Sequence, residues 1–340
     1  MPEQTSALDA AREGDQEAFA LLIEPFRREL RAHCYRLSGS LHDADDLVQE
    51  SLLRAWRGLK SFEGRSSLRT WLYKVATSAC LDALEKQPRR GLPMDLGPAV
   101  SAEAALVPPR LEPIWVEPWP DAVGDENVLS SPEARYSLRE SVSLAFLVAL
   151  QLLPPKQRAV LLLREVLGWK ASECAELLGL SVAAVNSALQ RARETIDLRA
   201  PALRDASPVV HDERTVALLA RYVAAWETTD VDALVSLLRE DATLAMPPLP
   251  QWLRGAREIG ASLAAMVLVP GSSGAFRLVP TRANGLPAFA AYRREDSSGD
   301  RQALSIQVVE VVDGRIASIV AFLDTSIFGS FGLPTTLPGH

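Results

Sequence analysis

The sequence predicts a multidomain protein: two all-α helical domains, the second with a helix-turn-helix, then a C-terminal α+β cone-shaped barrel. Three observations carry that expectation. Apolar residues recur at steps of three and four through residues 5–84 and again from Leu138 to Ile196, the spacing of amphipathic helices. Between them, residues 88–135 hold nine prolines and eight acids, a composition that resists regular structure. Beyond residue 211 the chain begins as helices and ends in alternating apolar runs, the order of an α+β unit. With 340 residues, 48% of them hydrophobic, more than one core can be filled.

Net charge is −7, unevenly spread: residues 54–90 hold nine Lys/Arg against three Asp/Glu, and residues 91–135 two against eight. Such segregation implies that partners differ by segment. No apolar run approaches membrane-spanning length, and MPEQTSALDAAREGD lacks the pattern of a secretory signal, so a cytoplasmic protein is expected. Cys34, Cys80 and Cys174 form no CxxC or Cys/His pair, which favours buried reduced thiols over a disulfide framework or a zinc site. Neither metal nor cofactor is predicted.

In chain order, Asp15 caps a helix after Gly14, with Phe19, Leu22, Ile23, Phe26, Leu30 and Cys34 inside and Pro25 expected to bend it. Ser40 and Asp43 read as a capping box for the next helix, whose buried stripe is Ala44, Val48, Leu52, Ala55 and Leu59. Its other side carries Asp43, Asp46, Glu50, Arg54 and Arg57, with Glu50 and Arg54 spaced for a surface pair. Asp45, Gln49 and Trp56 are left without an internal duty. Taken alone this is a solvated charged face, but an exposed Trp on an acidic helix invites a partner. In Ser61–Arg90 a loop around Gly64 precedes a helix from Leu68, and Arg65, Arg69, Lys74, Lys86, Arg89 and Arg90 interleave with Phe62, Trp71 and Tyr73. Cations beside aromatics suit single-stranded DNA. Trp71 is expected in the core and Phe62 on the functional surface.

The Pro-rich stretch contains Ile114, Trp115 and Trp119. It reads as a flexible tether, as an acidic strand for a positively charged channel, or as tryptophans docked on a folded domain. Ser131-Pro132-Glu133 then starts a helix with Leu138, Val142, Ala145, Phe146 and Leu150 inside. Pro154-Pro155 opens the next, and residues 171–196 form a helix-turn-helix with its turn at Gly179-Leu180 and Ser181 as the second cap. There Val185, Leu189, Ala192 and Ile196 face inward. Ala183, Ala184, Asn186, Ser187, Gln190, Arg191 and Arg193 face outward, small residues admitting a groove and polar ones reading bases or phosphates. In the last part, helices at residues 211–230 and 230–241 precede a strand, a third helix and four apolar runs, with Asp313-Gly314 as a hairpin turn. Trp226, Met246, Trp252, Arg257, Tyr292, Phe322 and Asp324 are candidate pocket residues, and Ile327, Phe328 and Phe331 are expected outside any element, docking the tail on the linker or the first domain.

The string DADDLVQE, Asp43 to Glu50, followed by Leu53, Arg54 and Trp56, resembles the polymerase-binding helix of extracytoplasmic-function sigma factors, group IV of the sigma-70 family. That resemblance implies core RNA polymerase as partner, gripped by Asp43, Asp45, Asp46, Gln49, Leu53 and Trp56. TWLYKVATS, Thr70 to Ser78, is similar to the family's TWLYRIATN and implies −10 promoter recognition by Phe62, Arg65, Ser66, Arg69, Thr70, Lys74, Thr77 and Ser78. Lys74 keeps the charge of the usual Arg without its planar fork, and Ser78 replaces Asn. The run from LPPKQRAVLLLREV to QRAR resembles the family's −35-reading domain, and the last part resembles SnoaL-like (NTF2-like) domains. The implied division is 5–90 for region 2, 91–130 for the acidic linker, 131–200 for region 4, 212–324 for the SnoaL-like domain and 325–340 for a tail. The expected function is a non-enzymatic promoter-specificity subunit with a regulatory C-terminal domain. An isomerase or cyclase, and a ligand-sensing DNA-binding regulator, are the competing readings, and a small-molecule ligand in the C-terminal domain stays open.

Overall fold

The computed structural model describes residues 2–85, 87–112, 114–121, 143–198, 213–269, 271–294 and 299–339. The expected cap at Ser131, the inner residues Leu138 and Val142, Lys86, and the junction before the last domain lie outside them. The chain divides into two compact units, Met1–Arg89 with Ala149–Leu198, and Arg90–Val148 with Arg199–His340.

The first, helical unit contains α1 (Pro2–Glu13), α2 (Gln16–Ser38), α3 (Leu41–Gly58) and α4 (Leu68–Leu84). α5 (Leu144–Gln151) enters it at Ala149, and α6 (Pro155–Leu161), α7 (Ala171–Leu178) and α8 (Val182–Asp197) complete it. Helix starts follow from short polar side chains that accept otherwise orphaned N–H groups. Asp15 accepts from Glu17 and Ala18 at 2.9 and 3.0 Å. Ser40, Ser67 and Ser181 accept from Asp43, Thr70 and Ala184, each at 3.1 Å. At the end of α2, Gly39 takes φ 77° and its N–H returns to the Tyr35 carbonyl at 2.7 Å, the left-handed stop that suits glycine. α2 continues through Pro25 as one helix. The α6 helix runs on as a π turn over Leu162–Val166 before Gly168.

The expected stripe of α3 is buried throughout, joined by Leu47 and Ser51. Two aromatics trade places against expectation: Phe62 is buried, packed on Trp71 at 5.0 Å with Arg12 over its ring, while Trp71 is half-buried. A loop residue is covered here because α1, far off in sequence, supplies Arg12, which also donates to the Phe62 carbonyl. Cys34 and Cys80, distant in sequence, are both core residues; the Cys34 thiol, then burial, hold the Cys80 thiol well above its ordinary pKa.

In the second unit, α9 (Glu213–Thr228), α10 (Val231–Leu237) and α11 (Ala256–Met266) cover one face of a sheet. Its strands are β1 (Leu238–Ala245), β2 (Trp252–Arg254), β3 (Phe276–Ala283), β4 (Leu286–Arg294), β5 (Arg301–Val312), β6 (Arg315–Phe322) and β7 (Thr336–Leu337). The order is β2-β1-β6-β5-β4-β3, with β7 pairing β5. β1 and β6 run parallel, so the sheet is mixed. Asp313 and Gly314 both have positive φ, as the β5–β6 hairpin turn requires. Strand alternation assigns Phe276, Leu278, Phe289, Ala291, Val309 and Ile319 to the helix-covered face, where Leu218, Tyr222, Trp226, Ile259 and Leu263 meet them. Gly260 permits that packing: a Cβ there would lie 2.4 Å from Val235 Cγ2, so α11 can approach α10 only with glycine at this position.

The Pro-rich segment belongs to this unit as far as it is described, and it is not a free tether. Val100 donates to the Trp252 carbonyl at 2.9 Å, Ala102 to Glu258 at 2.7 Å, and Val107 to Gln251 at 2.7 Å. Further along, Trp119 exchanges bonds with Asn284 in both directions at 2.8 and 2.9 Å, and the Gly285 N–H reaches Asp121 at 2.9 Å. Trp115 and Trp119 are 9% and 8% exposed. The tail also stays home. Ile327 and Phe328 are buried, Phe328 meets Tyr292 edge-on at 5.5 Å, and Tyr292 donates to the Pro334 carbonyl at 2.8 Å. The expectation of tail docking on the linker or the first domain is therefore corrected: apolar tail residues complete their own sheet.

Candidate functional site

α3 supplies the first candidate surface. With one side buried, Asp46, Gln49, Leu53 and Arg57 recur along the exposed side, and Leu53 is 50% exposed, a large apolar residue in a polar stripe. Asp43 is half-buried in the first turn. Asp45 does not share this freedom: Arg31 holds it at 2.5 and 2.9 Å. Trp56 is half-buried against Phe19 at 5.0 Å. Both residues therefore have the internal duty that the spacing alone did not show. The Glu50–Arg54 pair forms at 2.7 Å, and Arg54 also reaches Asp82 at 2.6 Å; those two bonds raise the guanidinium pKa.

The second surface is the loop before α4 and the start of that helix. Arg65 is strongly exposed beside Glu63, Ser66 is half-buried, and Ser78 is exposed. Thr70 bonds the Ser67 hydroxyl at 2.8 Å. Arg69 is held by Glu29 at 2.7 Å and lies over the Tyr73 ring at 5.1 Å. Lys74 is tied to Glu176 on α7 at 3.1 Å. Two expected contacts fail on burial. Phe62 is inside, as described, and Thr77 is fully buried, donating to the Tyr73 carbonyl at 2.8 Å and lying 2.9 Å from His33 Nε2.

α8 supplies the third. Val185, Ala188, Leu189 and Ala192 are buried, Ile196 is half-buried, and Ala183, Asn186, Ser187, Gln190, Arg191 and Arg193 are exposed, with Ala184 intermediate. Gln190 bonds Glu194 at 3.0 Å and Arg193 bonds Glu165 at 2.6 Å, whereas Arg191 has no such partner among the described residues. At α7, where a Ser or Thr cap is missing, Glu173 accepts the Lys170 N–H at 2.7 Å instead.

The seven candidate pocket residues do not converge. Trp226 and Met246 pack in the helix-covered core, whereas Tyr292 and Phe322 alternate onto the opposite face of the sheet. Trp252 donates its indole N–H to the Gly97 carbonyl at 2.8 Å. Arg257 is exposed, and exposed Asp324 caps the turn after β6 by accepting from Ser326 at 2.9 Å. The expectation that Arg257 and Asp324 line one pocket is corrected, because one side chain stands outward on a helix and the other is used as a cap. What sequence reading missed inside the cone is a buried polar bond, Tyr222 to Gln307 at 2.7 Å. No group of three or more His, Cys, Asp or Glu among the described residues could hold a metal ion, and none of the described helices is long and apolar enough to cross a membrane.

Three family models match the chain: Sigma-70 region 2 over residues 22–90, Sigma-70 region 4 over 143–196, and the SnoaL-like domain over 219–319. The chain belongs to the extracytoplasmic-function (ECF) sigma factors of RNA polymerase, in a form that carries a SnoaL-like domain. It is 47% identical over 328 residues to ECF RNA polymerase sigma factor SigG of Mycobacterium tuberculosis (strain ATCC 25618 / H37Rv), covering 96% of this chain and 86% of that protein. It is 26% identical over 185 residues to ECF RNA polymerase sigma factor SigW of Bacillus subtilis (strain 168), covering 54% of this chain and 90% of that one. The crystal structure of the Mycobacterium tuberculosis extracytoplasmic function sigma factor SigJ superposes with a TM-score of 0.56 at 25% identity, covering 91% of this chain and 97% of that one.

Proposed function

We propose that the chain docks on core RNA polymerase through the outer stripe of α3, with Asp46, Gln49 and Leu53 at its centre and Asp43, Asp45 and Trp56 shaping its margins. The single observation that carries this is half-exposed Leu53 between acidic and amide side chains, on a helix whose other face is entirely buried. The centre of a docking patch is more apolar than its polar rim. The −10 element is read by Arg65, Ser66, Arg69, Thr70, Lys74 and Ser78, and the −35 element by Ala183, Ala184, Asn186, Ser187, Gln190, Arg191 and Arg193. The working division is 5–90 and 131–200 for the promoter-reading parts, with 212–324 and the tail 325–340 as one regulatory domain. That domain acts by contact and not by bond chemistry; the scattered placement of its candidate pocket residues, Arg257 and Asp324 among them, supports this. The setting we assign is the cytoplasm. The test is capture of purified core RNA polymerase by the Asp46→Ala/Gln49→Ala/Leu53→Ala variant. Capture is expected to fall at least tenfold while the thermal midpoint stays put, and undiminished capture by the folded variant removes the reading.

A further inference from the structure

The helical unit contains a cleft of about 450 Å³ between the chain that follows α4 and the α5–α6 corner. Its lining includes Ser38, Glu85, Arg89, Gln151, Lys156 and Arg158. Arg158 is 3% exposed, and every acceptor it has is neutral. Its guanidinium donates to the Leu37 carbonyl, to Gln151 Oε1 at 2.5 Å, and to the Gln151 and Leu153 carbonyls at 3.2 and 3.1 Å. Nε, also buried, has no acceptor. A buried cation ordinarily sits against a carboxylate, because leaving it uncompensated costs several kcal/mol. Among the described residues no carboxylate is supplied. Burial first, and the charge of Arg89 second, pull the Arg158 pKa down to about 10. Arg89 and Lys156 are exposed on the same lining and form no ion pair among the described residues, and neither does Glu85, the lone acid there.

We propose that this cleft binds a phosphate-bearing solute of nucleotide size, its phosphate seated between Arg89 and Lys156 above the buried charge of Arg158. The volume lies within the range of small-molecule sites and is far too small for a duplex. Guanidinium groups match phosphate oxygens in geometry, and a lysine adds a mobile point charge. The same guanidinium joins the end of α2 to Gln151 at the end of α5, so an occupant sits at the seam between the first four helices and the last four. Binding there stabilises the packed arrangement of the two groups by mass action.

The test is titration calorimetry on the full chain at fixed ionic strength, using inorganic phosphate, adenosine monophosphate and adenosine as probes. The two phosphates are expected to bind saturably, one per chain, with adenosine inert, and to raise the thermal midpoint. Arg89→Ala/Lys156→Ala changes only exposed side chains and is expected to weaken binding at least tenfold. Equal binding by the double variant overturns the assignment, as does a heat that sodium chloride reproduces. A short DNA duplex forms the second arm: if the double variant loses duplex affinity while free phosphate never binds, the cations serve backbone phosphates and the solute site is refuted.

Discussion

α3 and the segment around residues 114–121 carry the same chemical promise, tryptophan among acids, yet the fold treats them in opposite ways. α3 satisfies its own backbone donors and acceptors, so its outer side chains, Asp46, Gln49 and Leu53, stay at the surface. The extended segment has no such internal ladder. Its N–H and C=O groups must find partners elsewhere, and they find them on the neighbouring domain at Asn284, Arg282 and Gly285. Once the backbone is fixed there, Trp119 is buried with it. The lesson is that an aromatic among acids signals a docking surface only where the backbone does not itself require the cover.

The largest expected effect tests that contrast. Trp119→Ala should destabilise the second unit by about 3 kcal/mol or more, the usual loss for truncating a buried tryptophan. Urea unfolding of the full chain checks the midpoint, and hydrogen exchange at the Asn284 and Gly285 amides checks the location. An unchanged midpoint, with those amides as protected as before, would mean that the segment rests on the domain without being held by it.

Next in size is acid sensitivity, which should separate the two units. His33 is buried in the helical unit, and its pKa is pulled down to about 3 by burial first and the charge of Arg36 second. The unfolded ring binds a proton near pH 6.5 while the folded ring stays neutral, so the unfolded state holds more protons between those values. Stability is therefore undiminished above about pH 6.5 and falls as pH drops towards 3, by up to about 1.4 kcal/mol per pH unit. At pH 5 the helical unit should have lost about 2 kcal/mol. Among the described residues the second unit contains no histidine, so its midpoint should shift less over that range. His33→Gln should flatten the slope, whatever it does to the midpoint; a slope that survives places the proton elsewhere.

Much of the fold was legible because local rules decide it. Asp15, Ser40, Ser67 and Ser181 cap where their chemistry says they should, and β3 to β6 follow the four apolar runs closely. Several expectations that depended on a distant segment failed. Phe62 is covered by α1, Asp45 is taken by Arg31 of α2, and the tail is taken by its own sheet. Period tells which side chains share a face, but not what will cover it. The candidate pocket fails for a related reason: Tyr292 stands on the opposite face of β4 from Phe289 and Ala291, and Phe322 on the opposite face of β6 from Ile319. Thr77 belongs to the TWLYKVATS motif, yet its helical position puts it inside, against His33.

The smallest expected effect compares two arginines on one helix. Arg191 and Arg193 are both exposed on α8, but Arg193 is held by Glu165 while Arg191 has no such partner among the described residues. An exposed pair contributes little to stability, so replacing either by alanine should change the unfolding free energy by no more than about 0.5 kcal/mol. Duplex binding should distinguish them. Arg191 is free to neutralise a phosphate or meet a base edge, and its loss should weaken binding by about 1–3 kcal/mol; where the contact is to phosphate, the salt slope should also fall by about one. Arg193 must first leave Glu165, so Arg193→Ala should cost less, and Glu165→Ala should tighten binding by releasing it. If instead Arg193→Ala proves the more damaging, the Glu165 pair is a resting arrangement that DNA displaces, and the side of α8 that carries Arg193 is the one that meets DNA.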